Sequence, residues 1–120
     1  MNKTILITGA AKRIGKEIAL TYCDMGWNII IHYNSSKNDA EKLANEINSK
    51  NPESAKIIQA NLDISSDVQK LINESRNCFE SIDIIVNNAS TFYPTAIDEI
   101  SEEHWEKLVG SNLKGPLFLI

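Results

Sequence analysis

A chain of 120 residues, 42% apolar and 23% charged, has material for one domain with a real core and not for two. Its net charge of −4 gives no electrostatic case for nucleic acid or an anionic membrane as partner, and no run nears the roughly 18 apolar residues of a membrane span. The short aliphatic run after Lys3 is no secretion signal, and Cys23 and Cys78 lack zinc-site or disulfide-scaffold spacing, so the expected location is the cytoplasm.

The first element is the apolar run at residues 4–8 (TILIT), a buried strand by its length and β-branched content. A helical stripe of Ile14, Ile18, Tyr22 and Met25 follows, closed by Gly26 as a stop. Residues 28–33 (NIIIHY) predict a second strand, and Ala40, Leu43, Ala44 and Ile47 a second helix. Residues 56–60 (KIIQA) predict a third strand. Val68, Leu71, Ile72, Ser75 and Phe79 trace a third helix, for which Ser65, Ser66 and Asp67 offer capping oxygens. Residues 82–87 (IDIIVN) predict a fourth strand. A fourth helix starts at Ser101, with Glu102 and Glu103 near its positive end, and runs through Trp105, Leu108, Val109 and Asn112.

Strands apolar on both faces, each followed by a helix, imply an α/β fold: a doubly wound parallel sheet of Rossmann type with right-handed crossovers. Ligands in such sheets sit beyond the carboxyl ends of the strands. The loops at 8–15, 32–36, 60–63 and 87–93 are therefore the expected mouth, and all are rich in Gly, Asn, Ser, Thr or Asp.

Two phosphate-binding patterns compete for the first turn, Thr8-Gly-Ala-Ala-Lys-Arg-Ile-Gly15. A Walker-type loop fails, because Ile14 stands where its second glycine belongs and Lys16 is followed by Glu17. A dinucleotide turn fits better: Gly9 for the tight turn, Gly15 for close packing of helix on sheet, and helix N–H groups for a pyrophosphate. Gly9, Arg13, Ile14 and Gly15 are its candidate cofactor residues, against the alternative of a bare strand-to-helix turn. An NAD site usually has an acid about 20 residues past the glycines, to hold the ribose hydroxyl. Here the second strand ends in His32, Tyr33, Asn34, Ser35 and Ser36, with no carboxylate. Amide and hydroxyl groups at Asn34, Ser35 and Ser36, with Arg13 or Lys12 as cation, suit a 2′-phosphate, so NADPH is the expected cofactor. Tyr33 joins that group; His32 reads as a packed strand residue. The Asn-Ser-Ser stretch also reads as a cap for the next helix.

Together, TGAAKRIG, HYNSS and above all VNNASTFYPT (residues 86–95) resemble the short-chain dehydrogenase/reductase family, and within it the pteridine reductase branch. The resemblance spans essentially the whole chain in order. It implies hydride transfer from NADPH to a pterin or dihydropterin, with Arg13 reaching both the cofactor phosphate and the substrate. Asn61 and Leu62 would flank the adenine, although the family commonly has Asp at the Asn61 position and Asp63 is a rival. Asn88 and Ala89 would lie along the cofactor, Ser90 near the nicotinamide ribose and the substrate, and Phe92 on the pterin ring. Asn112 matches the helix asparagine that supports the catalytic lysine, and family members are commonly tetramers. The rival activities are a general carbonyl reductase, for example on 3-oxoacyl substrates, and a non-catalytic NADP-binding module.

The family's proton donor is a Tyr-x-x-x-Lys pair. Only Tyr33 and Lys37 match by letter, and they lie at the adenine end. That gap, and the apolar finish GPLFLI, read as the N-terminal part of a single-domain reductase about twice as long, with negligible turnover by itself.

Overall fold

Strands and helices alternate along residues 2–89, the part of the chain that the computed structural model describes. They are β1 (Thr4–Ile7), α1 (Arg13–Asp24), β2 (Asn28–Tyr33), α2 (Lys37–Lys50), β3 (Ala55–Gln59), α3 (Ser65–Cys78) and β4 (Ile84–Val86). The strands form one parallel sheet in the order β3-β2-β1-β4. Leu6 of β1 lies opposite Ile30 of β2 on one side and Ile85 of β4 on the other. The chain winds outward from β1 to β3, then returns across β1 to place β4, so strand order reverses beside β1. That reversal opens a crevice at the carboxyl ends of the strands.

Side-chain alternation divides the core in two. Ile5, Ile7, Ile29 and Ile31 point to the face covered by α1 and α2, where they meet Ala19, Cys23, Leu43 and Ile47. Leu6, Ile30 and Ile58 point to the other face, against Val68 and Leu71 of α3. Because alternate residues of one strand serve opposite layers, β1 and β2 each carry an uninterrupted run of three aliphatic residues, Ile5–Ile7 and Ile29–Ile31, and both strands are buried along nearly their whole length. The expectation of strands apolar on both faces does not extend to β3, whose Lys56 is exposed at the end of the strand order.

Helix α1 departs from the predicted stripe. Ile14 and Met25 are 69% and 62% exposed, and the buried residues are Gly15, Ala19 and Cys23, with Ile18 and Tyr22 only partly covered. The face is rotated by one residue because the helix approaches the sheet through its small side chains. Gly26 ends α1 as expected. At φ +83° it closes a Schellman motif in which its N–H donates to the Cys23 carbonyl (3.0 Å) and that of Trp27 to the Tyr22 carbonyl (3.1 Å).

The caps predicted for α3 are also corrected. Ile64, in extended backbone, is the cap residue, and its side chain makes no capping bond. Ser65 and Ser66 are already helical, and the Asp67 carboxylate instead accepts the Asn61 N–H (2.8 Å). Strand ends shift by a residue or two: β1 stops at Ile7, β3 spans Ala55–Gln59, and β4 only Ile84–Val86. Cys23 is buried and unpaired in a disulfide, and burial pushes the Cys78 thiol up, which keeps it protonated. Among the described residues no helix is long and apolar enough to cross a membrane. The helix predicted from Ser101 lies outside them.

Candidate functional site

The phosphate-binding turn is built on two contacts that exclude a side chain. Gly9 has φ +63°, and a Cβ there would stand 2.9 Å from the Ala89 Cα. A Cβ on Gly15 would stand 2.5 Å from the Gly9 carbonyl oxygen and 2.8 Å from the Ala10 Cα. These glycines let α1, the turn and the segment after β4 close on one another. Thr8, fully buried, ties that segment down: its hydroxyl accepts the N–H groups of Asn88 and Ala89 (both 3.0 Å) and faces the Val86 carbonyl (3.4 Å). The Asn88 side-chain amide donates to the Gly9 carbonyl (3.2 Å).

A cavity of about 510 Å³ lies against this turn at the carboxyl ends of the strands. Its walls are Gly9 and residues 11–14 on one side, residues 32–36 and 60–63 on another, and Asn88 and Ala89 on a third. Nearly all the described candidates thus converge, from four separate strand ends. Gly15 is the exception. It does not line the cavity; it is buried beneath the turn, where it packs α1 against it. Ile14, expected in the core stripe, faces the cavity mouth instead.

Electrostatics favour an anion at the α1 end. The cap residue Lys12 makes no side-chain bond to the helix start, and the first turn carries no acid. The leading N–H groups of a helix have no intrahelical partner, so this positive end is open to the cavity. Arg13 stands beside it at φ +55°, a left-handed conformation that an L side chain rarely adopts. At the β2 end, Asn34, Ser35 and Ser36 line the wall without a carboxylate. The Asn34 side-chain oxygen is engaged by Gln59 Nε2 (3.1 Å). Ser36 occupies the cap position of α2, yet its side chain makes no capping bond, contrary to the capping expectation. Lys12 pairs with Asp39 of α2 (3.4 Å) across the rim.

At the β3 end of the second wall, Leu62 is buried in the α3-side core and reaches the cavity. Asn61 turns its side-chain oxygen onto the Asp63 N–H (2.9 Å), which leaves its amide nitrogen as the donor. Both Asn61 and Asp63 line the wall. Tyr33 is buried at the β2 end, and Lys37 pairs with Glu41 (3.9 Å) on α2, so this Tyr and Lys do not act as a unit. Ser90, Phe92 and Asn112 lie outside the described residues.

Two residues without a predicted site role hold the mouth together: Thr8, described above, and His32. The His32 ring accepts the Gly9 N–H at Nδ1 (3.0 Å) and meets the Ala60 carbonyl at Nε2 (2.8 Å). The signal available in the sequence was a polar ring directly after three isoleucines of the strand, at the first residue of the expected mouth.

The model of the family described as short chain dehydrogenase matches residues 3–120. A 3-oxoacyl-[acyl-carrier-protein] reductase FabG of Staphylococcus epidermidis is 38% identical over 115 residues, which cover 96% of this chain and 47% of that protein. The enzyme of the same name in Staphylococcus aureus is 36% identical over 115 residues, covering 96% of this chain and 46% of that protein. A short-chain type dehydrogenase/reductase of Picea abies is 35% identical over 121 residues, 94% of this chain and 44% of that protein. The chain spans about half the length of these relatives. They are named for 3-oxoacyl reduction or for the family at large, not for pteridine reduction. With a parallel sheet whose strand order reverses beside a glycine turn, and a family match that runs from β1 through residue 120, the chain belongs to the short-chain dehydrogenase family.

Proposed function

We propose that the whole protein is an NADPH-dependent reductase of carbonyl compounds, with 3-oxoacyl thioesters as its first substrate class. The observation that carries the cofactor choice is the carboxylate-free end of β2 at the cavity wall, Asn34, Ser35 and Ser36, with Lys12 across the rim. An acid there would repel a 2′-phosphate; amide and hydroxyl groups accept it. The names of the relatives favour the thioester over the pterin.

The open N-terminus of α1 and the Arg13 guanidinium would hold the pyrophosphate, and Asn61, Leu62 and Asp63 would border the adenine. Asn88 and Ala89 would flank the remaining length of the dinucleotide. The cofactor supplies the hydride; these residues supply orientation and charge. The Tyr-x-x-x-Lys pair that the resemblance implies for proton delivery has no counterpart at the family position in residues 1–120, so turnover is to be sought in the whole protein. Pterin reduction is the second reading, and one observation favours it: an arginine, and not the easier glycine, borders the cavity at φ +55°.

Assays of the whole protein with acetoacetyl thioesters, dihydrobiopterin and dihydrofolate, each with NADPH and NADH, separate the two readings. Thioester reduction with NADPH preferred is expected. Turnover confined to pterins overturns the substrate class, and equal use of NADH overturns the cofactor choice.

Asp39 provides a further check. As an exposed pair it adds only about 0–1 kcal/mol to stability, but its charge lies where a 2′-phosphate would compete for Lys12. Asp39→Asn should tighten NADPH binding a few-fold, by about 1 kcal/mol or less. NADH binding should stay the same. An equal change for both dinucleotides in calorimetric titration would remove Lys12 from phosphate recognition.

A further inference from the structure

We propose that His32 is a positioning residue for the cofactor: as a neutral imidazole it fastens the phosphate-binding turn to the adenine-side wall, and protonation of the ring unfastens them. The inference rests on the dinucleotide reading above and deepens it.

His32 is 2% exposed, and both of its ring partners are backbone groups with one possible role each. The Gly9 N–H can only donate, so Nδ1, 3.0 Å away, must be the bare nitrogen. The Ala60 carbonyl can only accept, so Nε2, 2.8 Å away, must carry the hydrogen. The tautomer follows from the partners. The His32 backbone carbonyl also accepts the Ala10 N–H (3.1 Å), so one residue receives two consecutive amides of the turn. The Gly9 carbonyl is held from the other side by Asn88 (3.2 Å). Both peptide units around the Gly9 Cα are therefore pinned, which maintains its φ of +63° and sets where α1 begins. At its other end the ring holds Ala60, directly before Asn61 and Leu62. One side chain thus spans from the pyrophosphate end of the cavity to the adenine end. A consequence is that the Gly9 N–H is occupied, and the pyrophosphate must be served by the N–H groups of α1.

A second proton on the ring would sit on Nδ1 and face the Gly9 N–H, donor against donor. The ionisable groups that share the cavity wall with the ring are Lys12 and Arg13 on the turn, Tyr33 on β2 and Asp63 beyond β3, with Asp39 of α2 paired to Lys12 at the rim and Asp67 of α3 bonded to the Asn61 N–H. Burial holds the ring below the usual histidine value, only partly offset by the Ala60 carbonyl. The neutral ring's tie is therefore complete above the ordinary value of about 6.5. It is lost as pH falls through the lower folded value.

The test uses the whole protein. Affinities for NADPH and NADH are measured by fluorescence titration from about pH 8 to pH 5, and the His32 ring is followed by nitrogen NMR in the absence of cofactor. The expected spectrum has Nδ1 bare and Nε2 protonated, persisting below the ordinary histidine midpoint. Both affinities should fall on acidification; NADH carries no 2′-phosphate, so its fall cannot come from titration of that group. His32→Asn keeps an acceptor for Gly9 and does not titrate: it should bind within a few-fold of the parent and flatten the acid limb. His32→Leu leaves the Gly9 N–H without a partner and should lose about tenfold in affinity at every pH. An Nδ1–H tautomer, an ordinary midpoint, or a leucine variant with parental affinity overturns the proposal alone. A folded protein that binds neither dinucleotide overturns the cofactor reading as well.

Discussion

Gly15→Ala should destabilise the protein and weaken NADPH binding together, although alanine is ordinarily the better helix residue by about 1 kcal/mol. The new Cβ would meet the Gly9 carbonyl oxygen at 2.5 Å, the Asn88 Nδ2 at 2.7 Å and the Ala10 Cα at 2.8 Å. Two of the three are backbone atoms that cannot rotate away. Asn88 can, but only by releasing the Gly9 carbonyl that it now holds at 3.2 Å. Either α1 lifts from the turn or the turn deforms, at about 1–3 kcal/mol for overpacking. Because the start of α1 carries the N–H groups offered to the pyrophosphate, affinity should drop at least about tenfold. Gly26→Ala is the control. Gly26 sits at φ +83° with open space around it, so strain of about 1–2 kcal/mol is expected there with parental cofactor affinity. Thermal unfolding and titration with NADPH read both quantities. A Gly15→Ala protein with parental stability and affinity would mean that the helix does not seat on the turn as described.

For Arg13→Gly the two effects should have opposite signs. Arginine at φ +55° bears a left-handed strain of about 1–2 kcal/mol that glycine does not. Against that gain, glycine adds about 0.4–1 kcal/mol of unfolded-chain freedom. The net is a stabilisation of roughly 0.5–1 kcal/mol, or about 1–4 °C in a chain the length of the relatives. Cofactor affinity should fall about tenfold as a charge-assisted phosphate contact is lost. An equal fall for NADPH and NADH assigns the guanidinium to the pyrophosphate; a fall for NADPH alone assigns it to the 2′-phosphate. A more stable protein with unchanged affinity for both would leave Arg13 without a binding role. Strain kept at a cavity wall is a frequent mark of a functional side chain, and this pair of measurements tests it directly.

The alternation of β-branched runs with helical spacing was sufficient to read the layer architecture and to locate the four strand ends at which a ligand site had to lie. Burial on both faces of β1 and β2 forces uninterrupted apolar runs, and those survive as a plain sequence signal. The glycines of the first turn and the absence of an acid in HYNSS were legible for the same reason: each is a local requirement written at one position. Which face of α1 is buried was not legible. Ile14, Ile18, Tyr22 and Met25 make the stronger apolar stripe, but close packing on the sheet selects the small residues Gly15, Ala19 and Cys23, and only the contact partners decide that. The parts of Thr8 and His32 were hidden likewise. The Thr8 hydroxyl serves amides eighty residues along the chain, and the His32 ring joins Gly9 to Ala60 across three strands. A hydrogen bond between a side chain and a backbone group distant in sequence leaves no spacing to read. The tertiary structure made these two polar side chains the ties of the mouth, because burial leaves each of them only one set of partners.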